Sequence, residues 1–279
     1  MTATIAALLA EARRHIPAAE ARLLLGHVLD RPAAWLEAHR DDAIAVGAEY
    51  AALVRRRIAG EPIAYLTGVR EFYGRDFAVT REVLIPRPET ELLVDIAKAK
   101  LGAGNTAHCA AQILDLGTGS GCLAITLALE LPQARVTAVD VSPAALEVAR
   151  GNAQRLGARV EFVDSDWFAA LPPQCFDLIV ANPPYVAAGD PHLGEGDLRF
   201  EPAKALTDHA DGLSAIRRIV AAAPQWLATG GWLFFEHGYY LAVAARDLLV
   251  AAGFAAIEQH RDLADIVRAS GGRSCISRE

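Results

Sequence analysis

Apolar residues recur in two rhythms along this chain. Over residues 1 to about 68 the spacing is helical: Ile5, Leu8, Leu9, Ala12 and Ile16 fall on one stripe, and "AAEARLLLGHVL" and "AIAVGAEYAALVRRRIAG" repeat the pattern. The last of these closes on Arg55-Arg56-Arg57 before Gly60, where cations complement a helix C-terminus, so a solvated helix end is expected. At Val69 the rhythm turns to alternation. "VREFYGRDFAVTREVLIP", with Gly74 in its middle, predicts a β-hairpin. "PRPETELLVDIAKAK" then predicts a helix, with Pro88 in its first turn and Glu89 and Glu91 at the positive end of its dipole.

From residue 110 strands and helices alternate. The strands are "QILDLG", "RVTAVDVS", "RVEFVDSD", "FDLIVANPPY", "GWLFFEHG" and "AAIEQHRD"; the helices are "GCLAITLALEL", "PAALEVARGNAQRLG", "LSAIRRIVAAAPQWLA" and "YYLAVAARDLLVAAG". Apolar strands separated by helices predict an α/β fold with a mostly parallel sheet covered on both faces. Ligands of such sheets bind outside the carboxyl ends of the strands. The expected organisation is a helical domain over 1–68, a hairpin linker over 69–86 and an α/β domain over 87–279.

Composition narrows the class. With 53% hydrophobic and 22% charged residues the 279-residue chain can bury a core. The formal net charge of −7 argues against non-specific nucleic-acid binding, which needs a basic surface. Cys109, Cys122, Cys175 and Cys275 are scattered without metal-ligand spacing, so neither zinc nor a disulfide framework is expected, and reduced thiols in a cytoplasmic protein are the simplest reading. No apolar run approaches the roughly 20 residues of a membrane helix. The first segment carries Glu11, Arg13 and Arg14 and reads as a folded helix rather than a signal peptide.

The strand ends carry the candidate chemistry. After the first comes Gly117-Thr118-Gly119-Ser120-Gly121, whose glycines permit a tight turn and close approach of a ligand. The third glycine falls one residue too early for a dinucleotide fingerprint, and the Lys-Ser/Thr of a phosphate-binding loop is absent. Asp140 ends the second strand, where a carboxylate can accept from ribose hydroxyls, while Ser142 before Pro143 suits the helix cap. Asp164, Asp166 and Trp167 end the third, and the indole could pack on a purine. This order points to S-adenosylmethionine rather than NAD. The fourth strand ends in Asn182-Pro183-Pro184-Tyr185. A planar amino group is a poor nucleophile, because its lone pair is delocalised. Two acceptors, the Asn182 side-chain oxygen and the Pro183 carbonyl, could grip its two N–H groups and aim the nitrogen. The prolines stiffen the backbone and Tyr185 could stack on the flat group. Alignment of this kind can contribute about 7–11 kcal/mol without a special general base.

At this point the chain resembles the bacterial release-factor glutamine methyltransferases. The resemblance rests on "GEPIAYLTGVREFYG" (60–74), "LIPRPETE" (84–91), "LDLGTGSG" (114–121), "ANPPY" (181–185), "FEPAKAL" (200–206), "DGL" (211–213), "EHG" (236–238) and "DLADIVRASGGR" (262–273). It implies a class I, Rossmann-like methyltransferase domain with a seven-stranded sheet, and a helical domain that helps hold the substrate. It implies methyl transfer from S-adenosylmethionine to the N5 amide of the glutamine in the GGQ loop of class I peptide-chain release factors. By position it assigns Gly117, Thr118, Gly119, Ser120, Gly121, Asp140 and Trp167 to the cofactor, Asn182 to both ligands, and Pro183, Pro184 and Tyr185 to the glutamine. Arg87, Pro88 and Thr90 match a segment lining the site. A monomer acting without nucleic acid or membrane is expected. Two departures stand out: Tyr239-Tyr240-Leu241 where a Gln-containing continuation is usual, and Asp265 where Gly is common. Three rival readings remain: a nucleic-acid amino-methyltransferase, a glutamine methyltransferase of a ribosomal protein, and a non-catalytic S-adenosylmethionine-binding module. His192 and His209, in the loop 187–212, are read as exposed and without a role.

Overall fold

The computed structural model describes residues 2–102, 110–194 and 196–276. Cys109 and the side chain of His192 lie outside the described residues. The chain divides into two compact units, Met1–Val69 with Gly194–Phe200 and Arg70–Leu193 with Glu201–Glu279.

The first unit is helical, with β1 (Ala3–Thr4), α1 (Ile5–Ala12), α2 (Ala18–Leu29), α3 (Ala33–Ala38), β2 (Ala43–Ile44), α4 (Gly47–Ile58) and α5 (Ile63–Thr67). The Thr4 hydroxyl caps α1 by accepting from the Ala7 N–H at 3.2 Å. Ile5, Leu9, Ala12 and Ile16 of the expected stripe are buried with Leu24, Leu25 and Leu36. Two sequence expectations change here. Ala43 and Ile44, read as helical, form a short strand against Ala3 and Thr4, so the helix starts at Gly47. The arginine run closes α4 as expected, with Arg55 and Arg56 exposed, but Arg57 is half-buried and paired. Arg56 makes two bonds to Glu61, at 2.7 and 2.8 Å. Arg57 is held by Glu20 at 2.7 and 3.0 Å and by Asp197 at 3.0 Å. Arg57 is thus tied on two sides, and the planar guanidinium fork makes such paired bonding possible.

The second unit begins with the hairpin β3 (Val69–Phe72) and β4 (Arg75–Ala78). Tyr73 and Gly74 both have positive φ, 53° and 73°, the conformation of a two-residue hairpin turn. Then follow α6 (Glu91–Gly102), β5 (Gln112–Leu116), α7 (Cys122–Glu130), β6 (Arg135–Asp140), α8 (Pro143–Leu156), β7 (Val160–Asp164), β8 (Phe176–Ala181), α9 (Ala203–Leu206), α10 (Ser214–Ala222), β9 (Leu227–Glu236), α11 (Ala242–Ala251), β10 (Ala255–Arg261) and β11 (Val267–Arg273). The strand order is β10-β11-β9-β8-β5-β6-β7, with β9 through β7 parallel and β10 and β11 antiparallel. The mostly parallel seven-stranded sheet is therefore as expected. The period-2 alternation along β5 divides the core. Ile113 faces Leu93, Ala97, Leu123 and Leu127 of α6 and α7, whereas Leu114 and Leu116 face Ile216 and Ile219 of α10 and Leu249 of α11. Pro224 stops α10, because proline has no N–H to continue it, and a single 3-10 turn, Ala223–Gln225, replaces the expected last helical turn.

One buried amide joins the hairpin to the first strand's loop. Asn152 of α8 is fully buried, donates to the carbonyls of Ala78 (3.0 Å) and Ser120 (2.9 Å), and accepts from the Ala78 N–H at 2.8 Å. Asn152→Ala leaves three backbone groups without their partner, and buried polar groups so orphaned cost about 1–3 kcal/mol each. We expect urea denaturation to show a loss of about 2–4 kcal/mol; a loss below about 0.5 kcal/mol contradicts the bridging role.

Candidate active site

Register places the candidate residues. In the parallel ladder Leu116 pairs with Val139 and with Ala181, and Ala181 pairs with Phe235. The next residue of each strand is therefore Gly117, Asp140, Asn182 or Glu236, four groups emerging at one level of the sheet edge. Gly117, Asp140 and Asn182 border a cavity of about 610 Å³, of the size that takes a nucleoside-bearing ligand, while Glu236 lies outside its lining. Among its lining residues are Arg87, Thr90, Asp115, Gly117, Thr118, Gly119, Ser120, Asp140, Trp167, Asn182 and Pro184. Gly121, Pro183 and Tyr185 do not line it. The cavity's remaining walls come from segments whose contribution periodicity could not show, including Glu82, Val83, Leu84, Pro86 and Pro202 to Ala205.

The first strand's loop is held by the second strand. The N–H groups of Gly117 and Thr118 both donate to the Val139 carbonyl at 2.9 Å. Asp140 accepts from the Gly119 N–H at 2.8 Å and the Ser142 N–H at 2.9 Å, and each of its oxygens keeps a lone pair for a hydroxyl. Ser142 caps α8, accepting from Ala145 at 3.2 Å, as expected. Gly121 has φ 80°, and a Cβ there would come within 2.8 Å of Ile125 and 3.1 Å of Ala149, so its place is packing beneath the loop. Trp167 adopts φ 54° and its ring edge lies 3.6 Å from where a Cβ on Gly117 would stand.

Under the loop lie polar atoms with no partner among the described residues: Asp115 Oδ2, Thr118 Oγ1 and Ser120 Oγ. Buried polar groups are normally satisfied, so this floor fits a ligand carrying its own polar or cationic groups. Burial pushes the Asp115 carboxyl up to about 7, with the Asp140 charge adding to the effect. Among the described residues no group of three His, Cys, Asp or Glu is placed to hold a metal ion.

The fourth strand end is wired to the fifth. Asn182 Nδ2 donates to Thr90 Oγ1 at 3.0 Å, Thr90 donates to Glu236 Oε2 at 2.6 Å, and the Tyr185 hydroxyl donates to Glu236 Oε1 at 3.0 Å. The Tyr185 hydroxyl is held by Glu236, and burial beside that carboxylate raises its pKa well above the ordinary value. Glu236 is 2% exposed, and the sequence reading did not single it out, although it opens the quoted "EHG". The signal available was an acidic residue at the end of the apolar strand "WLFFE". Arg87 pairs with the buried Glu201 at 2.5 Å, and Glu201 also accepts from the Ile85 N–H at 3.0 Å, so "IPRPETE" and "FEPAKAL" form one wall. Gly212 of "DGL" has φ 80°, and a Cβ there would strike the Tyr185 carbonyl at 2.4 Å. His237 is buried, bonded to Ser270 Oγ at 2.8 Å and the Gly238 carbonyl at 2.9 Å.

Neither departure disturbs this frame. Tyr240 donates from its hydroxyl to the Tyr185 carbonyl at 3.2 Å, adding a clamp on the tetrapeptide. Asp265 takes φ 61°, the left-handed conformation that glycine favours and aspartate tolerates. His209 is exposed in its loop.

The strand order and the edge it builds define a class I methyltransferase, whose methyl donor is S-adenosylmethionine. A solved methyltransferase from Pyrococcus furiosus shares the fold, with a TM-score of 0.54 at 17% identity, covering 82% of this chain and all of that one. The family model described as Methyltransferase small domain matches residues 90–196, and the PrmC N-terminal domain model matches residues 2–68. The chain is 55% identical over 260 residues to the release factor glutamine methyltransferase of Bordetella pertussis, covering 92% of this chain and 95% of that protein. It is 54% identical over 267 residues to that of Burkholderia pseudomallei, covering 92% of both. The chain belongs to the release factor glutamine methyltransferase family.

The Asp115 geometry has a measurable consequence. Its pKa in the fold, about 7, lies above its ordinary 3.8, so between those values the folded protein binds more protons than the unfolded chain. Asp115's contribution to stability, measured without added ligand, should therefore fall as pH rises from about 4 to about 7. Asp115→Asn should flatten that part of the profile in chemical denaturation; an unchanged slope contradicts the shift.

Proposed function

We propose that this chain transfers a methyl group from S-adenosylmethionine to the side-chain amide nitrogen of a glutamine in a class I peptide-chain release factor, the glutamine of its GGQ motif. The observation that carries the reading is the orientation of Asn182. Its Nδ2 is committed to Thr90, so Oδ1 is the end left for a ligand in the cavity.

S-adenosylmethionine, when bound, supplies a methyl carbon on a sulfonium as the electrophile. The loop Gly117 to Ser120 and Asp140 would hold it, with Trp167 on the adenine side, while Asp115, Thr118 and Ser120 offer unsatisfied atoms to its polar end. Gly121 supports the loop by packing. Asn182 Oδ1 would accept one amide proton of the glutamine and aim its nitrogen; the Pro183 carbonyl, outside the cavity lining, is proposed as the acceptor for the second. Pro184 walls the cavity, Arg87 steadies the wall through Glu201, and Tyr185 supports the tetrapeptide from behind. The nitrogen's surplus proton needs no strong base, because methylation makes it acidic. A glutamate side chain brings no N–H to these acceptors and meets them oxygen to oxygen, so it is rejected.

The helical segment 1–68 is proposed to grip the release factor, with 69–86 as the connecting hairpin and 87–279 as the methyltransferase domain. A cytoplasmic monomer is part of the proposal; among the described residues no helix is long and apolar enough to cross a membrane.

Mass spectrometry of a purified release factor incubated with enzyme and S-adenosylmethionine should show one added methyl on the GGQ peptide. Label on a ribosomal protein or on nucleic acid instead would replace this reading with a rival. Asn182→Ala should lower methyl transfer about 10–100-fold, the loss of one or two hydrogen bonds of about 1–3 kcal/mol, and change cofactor affinity less. A factor carrying GGE should take no label.

A further inference from the structure

We propose that Glu236 is a positioning residue that, through Thr90, selects which end of the Asn182 amide faces the cavity. The inference rests on the glutamine-methylating reading above and adds to it the device that sets the acceptor.

An asparagine amide is nearly symmetric in shape, with an oxygen that only accepts and a nitrogen that only donates. A half-turn about its last bond would present N–H groups to the substrate amide, donor against donor. Something must forbid that turn. Pro183 and Pro184 fix the backbone but not this torsion. Thr90 alone cannot forbid it either, because a hydroxyl both donates and accepts.

Glu236 removes the ambiguity. With Glu236 ionised, its carboxylate can only accept, and Thr90 has a single proton. That proton goes to Glu236 Oε2 at 2.6 Å, the short distance of a charge-assisted bond. The Thr90 oxygen is then left with lone pairs only, and Asn182 must offer it Nδ2, as observed at 3.0 Å. Oδ1 is thereby turned outward. The second carboxylate oxygen takes the Tyr185 proton at 3.0 Å, so Glu236 holds both ends of the Asn-Pro-Pro-Tyr segment. Thr90 is 3% exposed and Glu236 2%, so water does not compete for the bond between them. Burial raises the Glu236 pKa while the Thr90 and Tyr185 bonds and the Arg268 charge draw it back, against Glu89.

The relay also bears on selectivity. With Oδ1 outward, a substrate carboxylate is repelled. With the amide reversed, Nδ2 would donate to that carboxylate and hold it.

The test uses full-length enzyme, a GGQ release factor as substrate and the GGE variant of that factor as competitive inhibitor. Thr90→Val keeps the side chain's shape and removes the relay. It should lower kcat about 10-fold, leave S-adenosylmethionine affinity within twofold and tighten inhibition by the GGE factor at least fivefold. Thr90→Ser, which restores the hydroxyl, should recover wild-type values. Glu236→Met should tighten GGE inhibition in the same way, and it carries the test if Thr90→Val is insoluble. In the double variant Asn182→Ala/Thr90→Val, kcat should fall no further than in Asn182→Ala alone, since the two act as one unit. A merely structural role would weaken binding of both factors. Unchanged kcat with unchanged GGE inhibition in Thr90→Val, or additive losses in the double variant, would overturn the relay. Wild-type enzyme that leaves the GGQ factor unmethylated would instead overturn the function on which the relay rests.

Discussion

Four parallel strands that end on one level are the constraint on which the site stands. Leu116 sits beside Val139 and Ala181, and Ala181 beside Phe235, so the next residues along, Gly117, Asp140, Asn182 and Glu236, share one rim. A shift of one residue in any pair would send that strand's last side chain to the opposite face. The register is protected by burial on both faces: Ile113 packs against one helical layer, Leu114 and Leu116 against the other. No loop has to bring the reacting groups together, because the ladder has already done so.

The polar chemistry at this rim is arranged around buried carboxylates. Asp140 clamps the glycine loop through the Gly119 N–H, Asp115 lies beneath it with Oδ2 unbonded, and Glu236 anchors Thr90 and Tyr185. Burying a charge is costly unless it is compensated by hydrogen bonds or opposite charge. Glu236 and Asp140 each receive two hydrogen bonds, whereas Asp115 Oδ2 receives none. The satisfied pair orders the walls, and the unsatisfied floor is where a polar ligand gains most. Glu201 plays the scaffold part for the outer wall, tying Arg87 to the backbone of Ile85.

Much of this was legible before any coordinates. Alternating apolar strands and helices reveal a covered parallel sheet, and a covered parallel sheet places its ligands at the carboxyl ends, so Gly117 to Ser120, Asp140, Trp167 and Asn182 could be named from position alone. The hairpin at Tyr73-Gly74 was legible because only positive φ closes so short a turn. What escaped were residues whose meaning is set by a partner distant in sequence. Asn152 reads as an ordinary polar residue of a helix, yet it bridges Ala78 and Ser120. Glu236 reads as a polar strand end, yet its partners are residues 90 and 185. The bond from the Tyr185 hydroxyl to Glu236 escaped for the same reason, since no sequence rule says where that hydroxyl will point. The pairing of Arg57 escaped likewise, since Glu20 and Asp197 lie far from it along the chain.

The most direct test is a crystal structure of the enzyme with S-adenosylhomocysteine and a GGQ-bearing release factor or peptide. The orientation argued for Asn182 requires its side-chain oxygen within about 2.7–3.2 Å of the glutamine amide nitrogen, with Nδ2 still on Thr90. An Asn182 side chain turned out of the cavity, or one presenting Nδ2 to the glutamine while its oxygen faces Thr90, would contradict it.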